Sequence, residues 1–538
     1  MKLPSMKYAD GITKGKQIKF AGLNHTAGAG DGEIFDMRNL TSDHAPVLST
    51  RAERLYYKKL QQPGGIFNWE GICWVDGTTF YYKGEERGQV TAGKKFFASI
   101  GAYIVIFPDK CYYNIDTAEF GSMEAAWEGD ELQFGSGEYL SAAASCIQCP
   151  GVEWSDYFRS GDSVSISGCE MHPENNKSLV IRGIDGDKLY FYENSFYPWD
   201  NGEAYSENGD LQIARRVPDL IAVCENENRL WGCTKTHIHA SAQGDIFNWY
   251  RSDGLASDSY IVDTVSEGAF TGCMAYGGYP IFFKEENIYK VYGSEPSNFE
   301  ILGSSTLGLA EGSERSLAVA GEVLFYLGRS GVTAYTGGIP QPMGAVFGHK
   351  RFKNAVAGSD GLKYYISMQD ETGAWGLYVY DTQQGMWHKE DDTHVTHFAR
   401  HDGNLYMLTE DGNILIAGPA QDPPEDAEAE GMFEWFAEFA DFTQEDPNKK
   451  GVGKLQLRLE LEADAKLLVE IMFDSDGQWI RAGHIFSEGR KRSYYLPIVP
   501  RRADHYRLRL SGLGGCRIFS LVREYYSGSE FRSTSGRN

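Results

Sequence analysis

Along much of this chain a short apolar run meets a Gly/Asp/Asn turn and then a run rich in aromatics. Residues 281–292 show the pattern clearly, and 72–82, 104–113, 324–335 and 405–415 repeat it. Runs this short, bounded by turn formers, predict antiparallel hairpins rather than helices. Their recurrence at blade-like intervals predicts an all-β chain whose main body is a β-propeller. Repeats over 221–240, 273–292, 317–335, 355–381 and 395–416, with the two early hairpins, bring the expectation to about seven blades.

The repeats are interrupted. Propeller segments are expected at 46–129 and 218–418. Between them, residues 130–217 alternate apolar and polar positions differently, as in Phe158–Gly168, Lys177–Ile184 and Gly186–Tyr192. Several short strands in that stretch predict a small β-barrel inserted at a loop, where an insertion interrupts little buried backbone. Residues 419–430 form an acidic, Pro-containing linker. Beyond it, 431–528 alternate strictly over Lys454–Glu462 and Leu467–Phe473, predicting a C-terminal β-sandwich followed by a flexible tail at 529–538. Residues 1–45, polar and Gly-rich around 22–33, read as an extended N-terminal arm.

Composition narrows the function classes. A chain of 538 residues is too long for one core. Its 62 glycines and 13% aromatics suit an all-β protein with many turns. A formal charge of −24 argues against gripping nucleic acid through its phosphates, though it suits a wall past which DNA slides without sticking. No apolar stretch is long enough to span a membrane, and Met1–Lys7 lacks a secretory signal's apolar run, so the chain is expected to fold in a cytoplasm. Nine scattered cysteines read as reduced, mostly buried thiols.

Candidate chemistry is sparse. Cys146, Cys149, Cys169 and His172 have a spacing compatible with a Cys3His zinc site. If 145–149 is a strand, however, Cys146 and Cys149 point to opposite faces, and the preferred reading is buried small hydrophobes with no metal and no cofactor. His394, His397 and His401, and the pair His237 and His239, are weaker groupings. Ser475–Trp479 has a faint likeness to the Asp-box of propeller glycosidases. There is no Walker A loop, no GxSxG elbow and no HExxH helix, so no catalytic residue is nominated.

Asn228–Trp231, Ile238–Ser241, Gly244–Trp249 and the hairpin Pro280–Tyr292, in that order, resemble the propeller repeat of bacteriophage tail nozzle or tail-hub (stabilisation) proteins. The arm, with Gly32–Leu40 and then Pro46–Arg51, is similar to structural proteins of the same kind. Where such proteins often show Asp-Pro, this chain has Asp245-Ile246. The resemblance covers the arm and the propeller and says little of the sandwich. It implies a non-enzymatic virion component: a homo-oligomeric ring, commonly of six copies, that lengthens the tail's DNA conduit and docks onto other tail or connector proteins. Genome DNA would pass through its lumen without specific binding. The chain would be assembled in the host cytoplasm and have no membrane anchor. Ile34, Phe35, Met37 and Leu40 are the docking candidates, with capping of the chain's own propeller as an equal alternative for this arm. A host-surface glycan-binding or glycan-cleaving tail protein is the alternative, with Tyr197, Trp199 and Tyr205 as residues that would stack on sugars.

Overall fold

The computed structural model describes residues 12–30, 32–197, 204–443, 449–487, 489–499 and 501–527. The predicted tail at 529–538 and the glycan candidate Trp199 lie outside them. The protein is all-β, and no helix among the described residues is long and apolar enough to cross a membrane. The chain divides into two compact bodies, one of residues 61–314 with 337–340, the other of residues 1–60, 315–336 and 341–538.

The first body contains four antiparallel sheets of four sequential strands each, spanning 63–89, 96–122, 222–263 and 272–305. Strand Tyr103–Phe107 shows why these sequences form stacked sheets. Its Ile104 and Ile106 pack with Val75 and Phe80, whereas Val105 and Phe107 pack with Leu230 and Trp249. A period-2 strand buried on both faces reads as an unbroken apolar run. The next interlayer places Trp231 and Ile238 against Phe270 and Phe282.

The insert belongs to this body and begins earlier than its predicted start at 130. Strand Ala125–Tyr139 pairs with Tyr205–Arg215 along most of its length, so the module's two ends lie side by side at Ala125 and Arg215. Seven strands form one sheet, whose order from edge to edge is 178–180, 163–167, 205–215, 125–139, 142–148, 188–192, 183–185. Its first and last strands are successive halves of one segment, 178–185. Ile181 N–H donates to the Asp162 carbonyl at 2.9 Å and Arg182 N–H to the Tyr190 carbonyl at 2.8 Å, so the two ends of the sheet meet through this segment around a core of Trp127, Phe134, Trp154, Phe191 and Ile213.

In the second body, sheets 318–342 and 352–391 repeat the four-strand meander. The sheet of 395–416 supplies three strands of its own and takes Leu55–Lys59 as its fourth. Glu428–Ala429 adds a fifth, pairing with 55–56, so the end of the stretch expected to be an acidic linker is hydrogen-bonded sheet edge, while 419–427 forms no strand.

The sandwich departs most from expectation. Its two sheets come from both ends of the chain. Thr13–Gln17, Leu40–Thr41 and Leu48–Thr50 join the sheet of Lys450–Leu461, Arg492–Pro497 and Cys516–Ser527, while Ile34–Arg38 pairs with Glu434–Phe439 in the other. The N-terminal segment is therefore no free arm from Thr13 onward. It crosses between the two sheets at Asn39, whose φ of 55° is the left-handed conformation that Asn tolerates. One continuous core runs from Leu457, Val469 and Leu510 through Met37 to Trp387 and Tyr364.

Candidate functional site

The residues expected to dock partners are built into the protein's own interior. Ile34 and Met37 are fully buried and Leu40 nearly so. Phe35 lies beneath the Arg507 guanidinium, 4.5 Å from its ring centre, and meets His25 edge-on. A register shift between Ile34 and Asp36 turns both Ile34 and Met37 inward. The backbone seals the same contact. Leu23 N–H donates to the Trp387 carbonyl at 2.7 Å, His25 N–H to the Val346 carbonyl at 2.7 Å, and Asn39 N–H to the Glu390 carbonyl. A Cβ on Gly22 would stand 2.3 Å from the Trp387 oxygen, so only glycine fits that approach.

Two buried arginines fasten the end of this segment. Arg51 forms a two-pronged pair with Glu430 at 2.8 and 2.9 Å, donates to Asn39 Oδ1 at 2.8 Å and lies over the Phe433 ring. Arg54 donates to Asp391 at 2.7 Å and to Glu390 at 2.5 Å. Burial pushes the Asp391 carboxyl up, but Arg54 and the hydroxyl and N–H of Thr393 outweigh it and hold its pKa down at about 2. Planar guanidinium forks suit such paired carboxylates, and a buried charge without a partner is costly. Sequence reasoning missed this clamp because its members lie more than 330 residues apart.

Beside the clamped segment, loops of two sheets enclose a polar cavity of about 340 Å³. It is lined by Ser42, Asp43, Asp360, Lys363, Asp381 and Asn404, among others. Its carboxylates are already engaged. Asp381 accepts from Ser42 Oγ at 2.5 Å and from the N–H groups of Gln383 and Gln384. Burial raises its pKa, yet these hydrogen bonds with Lys363 hold it below the ordinary carboxylate range. Asp360 caps the turn at Leu362 and Lys363, and Lys363 pairs with Asp43. The cavity can admit water or a small polar ligand, but its carboxylates are occupied in forming turns.

The zinc candidates do not converge. Cys146 packs with Ala144, Tyr139 and Tyr190, whereas Cys169 faces the insert's core beside Trp154 and Ile166. Cys149 Sγ points to the Glu131 carbonyl, and His172 sits edge-on to Tyr205. Strand alternation at 142–148 separates the first cysteine from the core, as the period-2 rule requires. His394 stacks on Trp375, His401 pairs with Asp402, and His397 is buried next to Thr396. His239 is held down to about 4 by burial and by His237. Of the glycan candidates, Tyr197 is exposed, but Tyr205 stacks on Phe134 and donates to the Tyr197 carbonyl at 2.8 Å.

One grouping appears that sequence reasoning half found. Asp474, Asp504 and His505 are the only metal-type cluster among the described residues. Ser475 Oγ lies 2.8 Å from His505 Nε2, His505 Nδ1 contacts Asp504 Oδ1, and Asp504 N–H donates to Asp474 at 2.9 Å. The order Ser–His–Asp is that of a nucleophile relay. Here it stands open to solvent, with Asp474, Ser475 and Asp504 all exposed, so nothing excludes water from it. It ties the Phe473–Gly477 turn to residues 504–505. The Ser475–Trp479 motif marked the turn, but nothing marked its partner thirty residues on.

No family model matches this chain, and no curated protein matches it. Among solved structures, it is similar to BamB from Moraxella catarrhalis at 12% identity, over 68% of this chain and 97% of that one, with a TM-score of 0.25. It is also similar to PorZ, a surface component of the type-IX secretion system of Porphyromonas gingivalis, at 12% identity, over 87% and 77%, with a TM-score of 0.26. Apo AztD from Citrobacter koseri follows at 10% identity, over 64% and 97%, with a TM-score of 0.29. The all-β assignment rests on the chain's own strand pairing.

Proposed function

We propose that this chain is a structural protein of a bacteriophage tail, a nozzle or hub subunit whose copies form a ring around the DNA conduit. In this reading the seven meander sheets are the blades of one propeller, the protein catalyses nothing, and its surfaces dock neighbouring tail proteins while DNA passes unbound. The observation that carries the reading is the role of residues 34–51. This segment, on which the likeness to tail proteins partly rests, joins both sandwich sheets to sheet 352–391 and is locked by Arg51 and Arg54. A part that must transmit load without yielding is well served by such a weld, because a close-packed interior deforms little.

Antibody labelling of purified particles, together with electron microscopy of the isolated protein, tests the proposal. Rings with a central pore and label at the tail are expected. Absence of the chain from particles, or turnover of a defined substrate, would overturn it.

A further inference from the structure

Charge is distributed very unevenly over this chain. Residues 61–314 hold 16 Lys and Arg against 38 Asp and Glu, a formal −22 out of the chain's −24. Half of that excess lies in the insert, where residues 123–217 hold 6 basic and 17 acidic side chains. Residues 434–527, the C-terminal part of the sandwich, hold 15 basic and 14 acidic side chains, a formal +1, and several of the basic ones gather on one face of one sheet. A segregation this strong has consequences for association.

Strand register shows where the basic side chains go. In the sandwich sheet containing Lys450–Leu461, the inward positions are Leu455, Leu457, Leu459 and Leu461, all buried. The alternate positions face out and line up across the strands. Lys16, Val522, Gln456 and Tyr495 form one row, Lys14, Glu524, Lys454 and Pro497 the next, then Ser520, Arg458 and Ser493, then Arg517 and Glu460. Lys14 pairs with Glu524 at 3.1 Å. Lys16, Arg458 and Arg517 have no carboxylate partner among the described residues. Lys454 rests over the Tyr495 ring at 4.5 Å, and Lys491 over Phe519 at 3.3 Å, so both keep their charge available. Tyr495, on the edge strand of this face, is 56% exposed. The insert offers the opposite surface: Glu128, Asp130, Glu131 and Glu138 are exposed along one strand, and Leu140 at its hairpin tip is 81% exposed.

We infer that the basic outer face of this sandwich sheet docks the acidic insert of a second copy of the chain, so that copies join head to tail. The inference deepens the ring reading and rests on it for closure of the assembly. The two surfaces differ, so the contact is heterologous, the type that generates rings when the rotation closes. Lysine and arginine facing glutamate and aspartate steer the encounter, and the exposed Tyr495 and Leu140 supply apolar contact.

The test is light scattering of the full-length chain at about 0.05 M and about 1 M salt, where screening lengths differ several-fold. Assemblies that fall apart at high salt are expected. K454E/R458E and E128K/E131K should each weaken self-association by about tenfold or more while keeping wild-type melting curves. An equimolar mixture of the two variants restores opposite charges at both kinds of contact, the wild-type pair and its charge-reversed counterpart, and should recover assembly with the two variants alternating. Variants that assemble like wild type, or a mixture that stays monomeric, would overturn the docking surface. Salt-resistant rings would overturn it too, yet leave the ring reading standing. A wild-type chain monomeric at low salt also refutes the docking, and its presence or absence in purified particles then judges the tail assignment separately. If a short DNA duplex binds wild type and not K454E/R458E, while assembly is unchanged, the face belongs to nucleic acid and the inference fails.

Discussion

The insert and the sandwich are both β modules attached to meander sheets, but they are assembled in opposite ways. The insert is contiguous, enters and leaves through paired residues Ala125 and Arg215, and closes its core with its own strands. The sandwich draws strands from residues 13–50 and 434–527 and shares its core with Trp387 and Tyr364. Each is fastened by a buried arginine. Arg215 pairs with Asp162 and donates to the Met123 carbonyl, and Asn248 bridges Asp162 to Ser163. Arg54 holds two carboxylates at once. A contiguous module can be added or lost as a unit, whereas one made from both chain ends is inseparable from what lies between them.

Truncation gives the sharpest contrast. Removing residues 1–50 strips Phe20, Leu23, Ile34, Met37, Leu40 and Leu48 from the core. At about 1.5–3 kcal/mol per buried side chain, that loss matches a typical domain's whole stability. The sandwich should unfold, seen as lost protection of 450–461 in hydrogen exchange. Arg54→Ala leaves Glu390 and Asp391 buried without their cation and should cost about 3–5 kcal/mol in denaturant melts. A cost under about 1 kcal/mol would show that the clamp is ornamental. Met37→Ala should cost about 2–4 kcal/mol through the cavity it leaves.

Acid should loosen the second body in two stages. His388, fully buried, has its pKa lowered to about 4 by burial and by Lys363. Its contribution is complete above the ordinary histidine value near 6.5 and is lost as pH falls towards about 4. Asp391, held at about 2, contributes about 2 kcal/mol that disappears between about pH 4 and pH 2. Melting temperature against pH should therefore fall below about 6.5 and go on falling between about 4 and 2 where His388 no longer contributes, and Arg54→Ala should remove the second stage. The smallest effect is expected from replacing residues 126–214 with a short Gly-Ser linker. The paired ends permit the joint, so the cores on either side of sheet 222–263 should persist with a melting shift of a few degrees. Collapse of that sheet would show the module to be as integral as the sandwich.

Local patterns were readable along the chain. Each hairpin at 72–82, 104–113, 281–292, 324–335 and 405–415 falls within a meander sheet, because antiparallel neighbours joined by a tight turn need only adjacent residues to specify them. The strands at 34–38 and 40–41 were not readable. The register shift after Ile34 breaks the alternation that marks a strand, and the partner strand begins about four hundred residues later. The zinc set shows the converse: a suggestive spacing whose members the strand alternation sends to different faces.

The sequence by itself determined that this protein is all-β, acidic and built of repeated hairpins, since period-2 patterning and turn residues act over a few positions. Only the tertiary structure decided that the N-terminal segment is the seam of the sandwich. Only there did Arg51 and Arg54 meet Glu430, Glu390 and Asp391, and Lys16, Lys454, Arg458 and Arg517 come to one face. Those outcomes depend on which distant strands find each other, and the gain comes from burying shared apolar surface and pairing buried charges. Neither leaves a local mark in the chain.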